Sequence, residues 1–215
     1  MLDSLLINNS RIGLIGYGSL GRQIKSFLCS KFNNLTFVIF DDFCSDKEDT
    51  ILNFNDYKNN IDYIDYFYIG LGYKNLANKE DILNFIPSEK LPTFFHDKSI
   101  ISPISEIGCG SFIYPGAIID QNTSTGRACL FNLGVVVSHD SSIGDATFIG
   151  PNATICGNVS IGNRCFIGAG SVISNGIKVG DDVIIGAGSV ITKNIESKSQ
   201  IIGNPSKKVQ KLNLL

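Results

Sequence analysis

The sequence predicts an α/β domain followed by an all-β one: a small Rossmann-like βαβαβ unit, then a parallel β-helix. Two observations carry this reading. An apolar residue recurs every six positions from Ile101 to Ile191, and a glycine turn, Gly16-Tyr17-Gly18-Ser19-Leu20-Gly21, separates a short apolar run from an amphipathic stretch. The expected boundaries are 1–97 for the first domain, 98–193 for the second and 194–215 for a C-terminal tail.

Stepping by six from Ile101 meets an apolar residue at every position to Ile191 except Thr125. That period fits neither a helix nor an alternating strand, so it describes a repeated supersecondary unit. Three hexads close one triangular coil, and residues eighteen apart then stack at roughly 4.8 Å. The interior becomes three columns, for example Ile101, Ile119, Val137, Ile155, Ile173 and Ile191. Branched side chains suit such parallel stacking. A glycine often follows the apolar residue (Gly108, Gly126, Gly144, Gly150, Gly162, Gly168) and is expected to supply unusual backbone angles at a bend. Nothing interrupts the register between 101 and 191, so no long loop is expected to leave the coils.

In the first domain, Arg11 to Ile15 reads as a buried strand and Arg22 to Lys31 as a helix, so the glycine turn is a phosphate-cradle candidate. A second strand, Thr36 to Phe40, ends in Asp41-Asp42, where a ribose-binding carboxylate is expected. A third, Asp65 to Ile69, ends in Gly70-Leu71-Gly72, and Lys74 to Phe85 reads as the next helix. Fewer than about a hundred residues hold one such half rather than the two that grip a dinucleotide. A mononucleotide or nucleotide-linked ligand therefore fits better than NAD, with Gly16, Gly18, Asp41, Asp42 and Gly72 as the binding residues.

The formal net charge of −2 carries no basic bias toward nucleic acid. No secretory signal or membrane-length apolar run is seen, and a cytoplasmic location with no membrane partner is expected. The six cysteines form no CxxC pair; Cys129 and Cys165 fall in the small-residue slot two before the apolar position and are expected to be reduced filler. With only His96 and His139 in the chain, no metal site is expected. His96, just before the first repeat, reads as a packing residue.

His139-Asp140 is the titratable pair of the coils. One coil step places Gln121 below His139 and Gly157 above it, followed by Asn175; Asn122 and Asn158 flank Asp140. Imidazole titrates near neutral pH, as a base for acyl transfer must, and a backbone N–H near Gly157 is placed for a developing oxyanion. Adjacent strand residues point to opposite faces, so Asp140 reaches His139 only if a corner bends the chain between them. An ordinary exposed turn is the other reading of this pair.

With these pieces in hand, the whole chain resembles the hexapeptide-repeat sugar acetyltransferases that include bacillosamine-pathway N-acetyltransferases and sialic acid O-acetyltransferases. The most specific segments are Val137-Ser138-His139-Asp140-Ser141-Ser142-Ile143-Gly144, Gly157-Asn158-Val159-Ser160-Ile161-Gly162 and Ile202-Gly203-Asn204-Pro205-Ser206-Lys207. The resemblance implies a left-handed β-helix and a homotrimer, with acetyl-CoA in the groove between subunits and a nucleotide-linked amino sugar as acceptor. It makes His139 the base, Asp140 its orienting carboxylate and Gly157 the amide facing the thioester carbonyl. Asn132 stands for a polar residue at the same notch, Ala169 and Ala187 for small residues that admit pantetheine, and Lys207 or Lys208 for a contact to a CoA phosphate. Two departures from relatives are Ser19-Leu20, where many carry Gly-His, and Phe148, where some carry a second histidine. The implied reaction is N-acetylation of a UDP- or dTDP-linked amino-deoxysugar in polysaccharide or glycan biosynthesis. Sugar O-acetylation of the sialic acid type and a non-catalytic trimeric scaffold are the alternatives.

Overall fold

The computed structural model describes residues 7–44 and 49–211. The chain divides into two compact units, Met1–Pro92 and Thr93–Leu215. The division falls ahead of residue 97 because Phe94–Phe95 already pairs with Phe112–Ile113 as a solenoid strand.

The first unit is a four-stranded parallel sheet of β1 (Arg11–Ile15), β2 (Thr36–Phe40), β3 (Thr50–Leu52) and β4 (Tyr66–Ile69), in the order β3-β2-β1-β4. Strands β1, β2 and β4 are apolar runs buried almost throughout, as expected where both sheet faces are covered, whereas the edge strand β3 is exposed to half-buried. Helix α1 (Ser19–Lys31) joins β1 to β2, and α2 (Leu76–Phe85) follows β4 through a 3-10 turn at Tyr73–Asn75. The glycine turn ends sooner than the sequence suggested: Gly18 is already the N-cap of α1. Strand β3 was not foreseen, since three residues carry no readable period.

The second unit is a parallel β-helix, and its coil pairings from Phe94–Phe95 to Val190–Ile191 keep the eighteen-residue step, whereas Ile184–Ile185 pairs onward with Gln200 and Ile201 at a step of sixteen. Phe131 pairs with Ile113 and Ile149, Val137 with Ile119 and Ile155, Ile143 with Thr125 and Ile161. The inward columns are sealed: Ile113, Phe131, Ile149, Val137, Ile155 and Ile173 are fully buried. The small-residue slot does more than fill space. Cys129 Sγ donates to Gly144 O at 3.1 Å, Thr147 Oγ1 to Gly162 O at 3.1 Å and Cys165 Sγ to Gly180 O at 3.1 Å, so each slot ties its coil to the next. Cys129 and Cys165 are buried thiols, and burial pushes the Cys165 thiol up to about 12.

The role expected of the glycines after the inward residue is corrected. Positive φ occurs with a six-residue period, but at Gly110, Gly116, Asn122, Ala128, Gly134, Asp140, Ala146, Asn152 and onward to Gly188, three positions before the inward residue. None of Gly108, Gly126, Gly144 or Gly168 has positive φ. Their requirement is closeness: a Cβ on Gly108 would lie 2.3 Å from the Gly126 carbonyl carbon, and one on Gly168 would lie 2.4 Å from Ala187 N. The backbone of the next coil occupies the space of a side chain.

The three outer faces differ. One carries Glu106, Ser124, Ser142, Ser160 and Lys178; the second carries Phe94, Phe112, Leu130, Phe148, Phe166 and Ile184; the third carries Ile100, Ile118, Val136, Thr154, Val172 and Val190. Beyond Ile191, Ser199–Ile202 adds a further rung beside Ile184–Ile185 and turns back as a hairpin with Lys207–Lys211. The segment after 193, expected as a tail, therefore continues one face of the solenoid.

Candidate active site

His139 lies at the corner between the strands Val136–Val137 and Ser142–Ile143. The next residue, Asp140, has φ +55, the left-handed conformation of that corner. This bend meets the condition set by strand geometry, because it brings two consecutive side chains to the same side. Asp140 Oδ2 lies 2.7 Å from His139 Nδ1, and Asp140 Oδ1 accepts from Asn122 Nδ2 at 3.1 Å, one coil below. These bonds, from His139 first and Asn122 second, hold the Asp140 carboxyl below its usual 3.8. An ionised Asp140 keeps the proton on Nδ1 and leaves the Nε2 lone pair free to accept. Both side chains are about half exposed.

The imidazole edge rests over Gly157. A Cβ built there would lie 2.7 Å from His139 Cε1, 2.8 Å from Nε2 and 3.0 Å from Asn175 Oδ1. Eighteen-residue stacking thus places His139, Gly157 and Asn175 in one column, and the ring occupies what would be a side chain's volume. The backbone around it is fixed by ladder bonds: Asn158 N–H donates to His139 O at 3.0 Å and Gly176 N–H to Gly157 O at 3.0 Å.

The N–H of Gly157 has no acceptor among the described residues, which sets it apart from a neighbouring corner. At equivalent hexad positions Arg127 N–H donates to Asp145 Oδ1, Asp145 N–H to Asn163 Oδ1 and Asn163 N–H to Asp181 Oδ1, each at 2.7 Å. That corner is closed by its own side chains, with Arg127 pairing Asp145 and Arg164 pairing Asp182. The amides of Ala169 and Ala187 likewise have no acceptor among the described residues, and both residues are exposed.

Not every expected residue meets at His139. Asn132, Ala169 and Ala187 share the corner between the phenylalanine-bearing face and the valine-bearing face, whereas His139, Asp140 and Gly157 occupy the next corner around the coil. Asn132 Oδ1 there accepts from Leu133 N–H at 2.8 Å. Lys207 and Lys208 sit exposed on the terminal hairpin, with Lys208 Nζ 3.3 Å from Glu196 Oε2. Phe148 stacks on Phe166 with centroids 5.4 Å apart. His96 Nδ1 accepts from Lys98 N–H at 3.1 Å within a local turn, as a packing residue does.

In the first unit the glycines divide their work. Gly16 has φ +86 and makes the tight turn. A Cβ on Gly21 would lie 2.3 Å from Gly16 O, and one on Gly70 would lie 2.2 Å from the same oxygen, so these two permit close packing of helix and strands. Gly18 and Gly72 face open space, with nothing within 4 Å of a built Cβ. They follow β1 and β4, the neighbouring strands at which the sheet order reverses, where ligands of open α/β sheets bind. Asp41 is partly committed to the turn: its Oδ2 accepts from Tyr17 N–H at 2.6 Å and its Oδ1 from Phe43 N–H at 2.8 Å. Asp42 Oδ1 accepts from Phe54 N–H at 2.8 Å.

Sequence reasoning gave no role to Asn122 or Asn175. The signal was present in the eighteen-residue step, which lists both beside the pair, but no repeat reports which way an amide side chain turns.

Comparison with known proteins agrees with this fold. The family model described as bacterial transferase hexapeptide (six repeats) matches residues 140–175, and that of the hexapeptide repeat of succinyl-transferase matches 158–193. Together the two models cover residues 140–193 of the solenoid with hexapeptide repeats. The acetyltransferase domain of PglB from Neisseria gonorrhoeae, solved in complex with acetyl coenzyme A, is 25% identical with a TM-score of 0.80, covering 94% of this chain and 100% of that one. PerB from Caulobacter crescentus, solved with CoA and GDP-perosamine, is 24% identical with a TM-score of 0.80, covering 93% and 97%. WeeI from Acinetobacter baumannii is 23% identical with a TM-score of 0.77, covering 92% and 99%. No curated protein matches the chain by sequence. The expected fold, a small Rossmann-like domain before a left-handed β-helix, holds, the solenoid having about six turns, as does the resemblance to hexapeptide-repeat sugar acetyltransferases. Among the described residues, no helix is long and apolar enough to cross a membrane, and no group of three His, Cys, Asp or Glu is placed to hold a metal ion.

Proposed function

We propose that the chain is an acetyl-CoA-dependent N-acetyltransferase acting on the amino group of a nucleotide-linked amino-deoxysugar, with His139 as the base. The observation that carries this is the imidazole held by Asp140 with its Nε2 edge over the bare backbone of Gly157. The Nε2 lone pair takes a proton from the acceptor amine as its nitrogen bonds to the thioester carbonyl carbon. The Gly157 N–H faces the carbonyl oxygen as it gains charge, a contact often worth roughly 3 kcal/mol. The imidazolium then returns its proton to the departing sulfur.

The residues present fit acetyl-CoA. The open amides of Ala169 and Ala187 offer donors along one corner to the polar groups of a pantetheine arm, and Lys207 or Lys208 offers a cation to a CoA phosphate. These lie at a different corner from His139, so the reading calls for a second copy of the chain to bring both corners to one groove. Two of the three outer faces are largely apolar and the third is polar, the pattern a homotrimer of prisms needs. The relatives named above include one solved with acetyl-CoA and one with CoA and GDP-perosamine. In the first unit, Gly16, Gly18 and Gly72 at the switch point, with Asp42 and Asp41 beside them, are the nucleotide site. The nucleotide is expected to be UDP or dTDP, and the pathway one of surface polysaccharide or glycan biosynthesis in the cytoplasm.

The test is thiol release from acetyl-CoA with UDP-, dTDP- and GDP-linked 4-amino-4,6-dideoxysugars. Turnover is expected with at least one of them, and His139→Ala should lower kcat by at least about 10³-fold while nucleotide-sugar binding is retained. A His139→Ala enzyme within tenfold of the parent rate refutes the assignment of the base.

A further inference from the structure

Resting on the N-acetyl transfer reading, we propose that the side-chain oxygen of Asn175 is a second acceptor for the nucleophilic nitrogen and makes the site select an amine over a hydroxyl. A Cβ built on Gly157 would lie 2.8 Å from His139 Nε2 and 3.0 Å from Asn175 Oδ1, so the two acceptors lean over the same glycine from successive coils, next to its open amide. Asn175 is exposed, and its amide makes no hydrogen bond among the described residues, so no protein group there competes for it. It lies two coils above His139 in the column that Gly157 completes, and the ladder bond from Gly176 N–H to Gly157 O fixes that coil.

The chemistry of the acceptor explains why two oxygen- or nitrogen-based acceptors matter. A primary amine carries one lone pair and two hydrogens. With one N–H held by His139 Nε2 and the other by Asn175 Oδ1, the lone pair is left as the only free direction on nitrogen, aimed at the carbonyl carbon. As the C–N bond forms and the C–S bond breaks, the first proton passes to Nε2 and then to the CoA sulfur. The second hydrogen stays on nitrogen, becomes the amide N–H of the product and keeps its bond to Asn175. A hydroxyl has one hydrogen, given to His139, and forgoes the bond to Asn175, so the amine gains a contact that the hydroxyl lacks.

The experiment uses the full chain with acetyl-CoA and the three nucleotide-linked amino sugars, together with the 4-hydroxy counterpart of the best substrate as a competitive inhibitor. Asn175→Ala is expected to lower kcat/KM for the amine about tenfold, leaving the KM for acetyl-CoA and the Ki of the hydroxy analogue unchanged. Asn175→Asp, which keeps the acceptor oxygen, is expected to restore the rate to within about threefold. Parent-like kcat/KM in Asn175→Ala, equal losses in both variants, or an equal weakening of the hydroxy analogue would each overturn the proposal. A parent enzyme that turns over none of the amino sugars overturns the acetyltransferase reading itself, and that result is read before any variant is made.

Discussion

Replacing Gly157 by alanine tests the site where its geometry is tightest. Gly157 does not have positive φ, so alanine imposes no left-handed strain, and the new methyl acts only through space. It would stand 2.7 Å from His139 Cε1, whereas carbon atoms in contact sit about 3.5–4.0 Å apart. The ring edge must therefore retreat by roughly 0.8–1.3 Å on contact distance alone. His139 is about half exposed and can swing toward solvent, so the fold loses little and the melting temperature is expected to fall by less than about 3 °C. Catalysis is expected to lose far more, since a displacement of about 1 Å costs about 10²-fold in rate, equivalent to about 2.7 kcal/mol. The assay is steady-state thiol release alongside thermal unfolding, repeated in a His139→Ala background. With the ring already gone, the added methyl meets only Asn175 Oδ1, at 3.0 Å, an exposed amide that can turn aside, and should lower the remaining rate by less than tenfold. A single variant within threefold of the parent, or a double variant that loses a further tenfold, would refute ring displacement as the cause.

Two other outcomes follow from the same coordinates. Asn122→Ala removes one of the two side-chain bonds that hold the Asp140 carboxyl low, so its titration midpoint, followed by carboxyl ¹³C NMR, should rise toward 3.8. The sign is that of a depressed acid: the ionised, bonded form persists above the ordinary value and is lost as pH falls through the folded one, so turnover at pH 7 should stay within a few fold; a lowered midpoint would contradict the assignment. Gly126→Ala and Gly170→Ala separate the two kinds of glycine. The first puts a methyl 2.4 Å from Asp145 N and should cost about 3 kcal/mol, lowering the melting temperature by about 6–12 °C. The second meets nothing within 4 Å but has φ +63, and should cost only about 1–2 kcal/mol; the reverse ranking in calorimetry would show that backbone angle, not coil spacing, fixes the glycine after the inward residue.

The solenoid is legible because one rule repeats: a residue such as Ile155 is inward for the same reason as Val137 and Ile173, and the eighteen-residue step yields every strand pairing up to Ile191, though not the sixteen-residue step that sets Gln200 and Ile201 beside Ile184 and Ile185. The same rule sets Gly157 above His139. What the repeat does not encode is which backbone angle each position adopts, and so Gly126 was given a conformational role when its requirement is the nearness of Asp145. Asp140 shows the other side of this limit. Its left-handed φ is shared with Asn122, Asn158 and the glycines of the other corners, so nothing local marks it as functional; only its bond to His139 does, and that bond exists because the corner turns a side chain that a straight strand would send away. The proposed site is thus a corner of the common repeat whose ordinary bend, combined with a histidine, a bare glycine and an uncommitted Asn175, sets two acceptors beside an open amide. By this argument a solenoid corner lacking one of these, such as that of Arg127 and Asp145, whose amides are closed by their own side chains, has no place for an acyl group even though its backbone is the same.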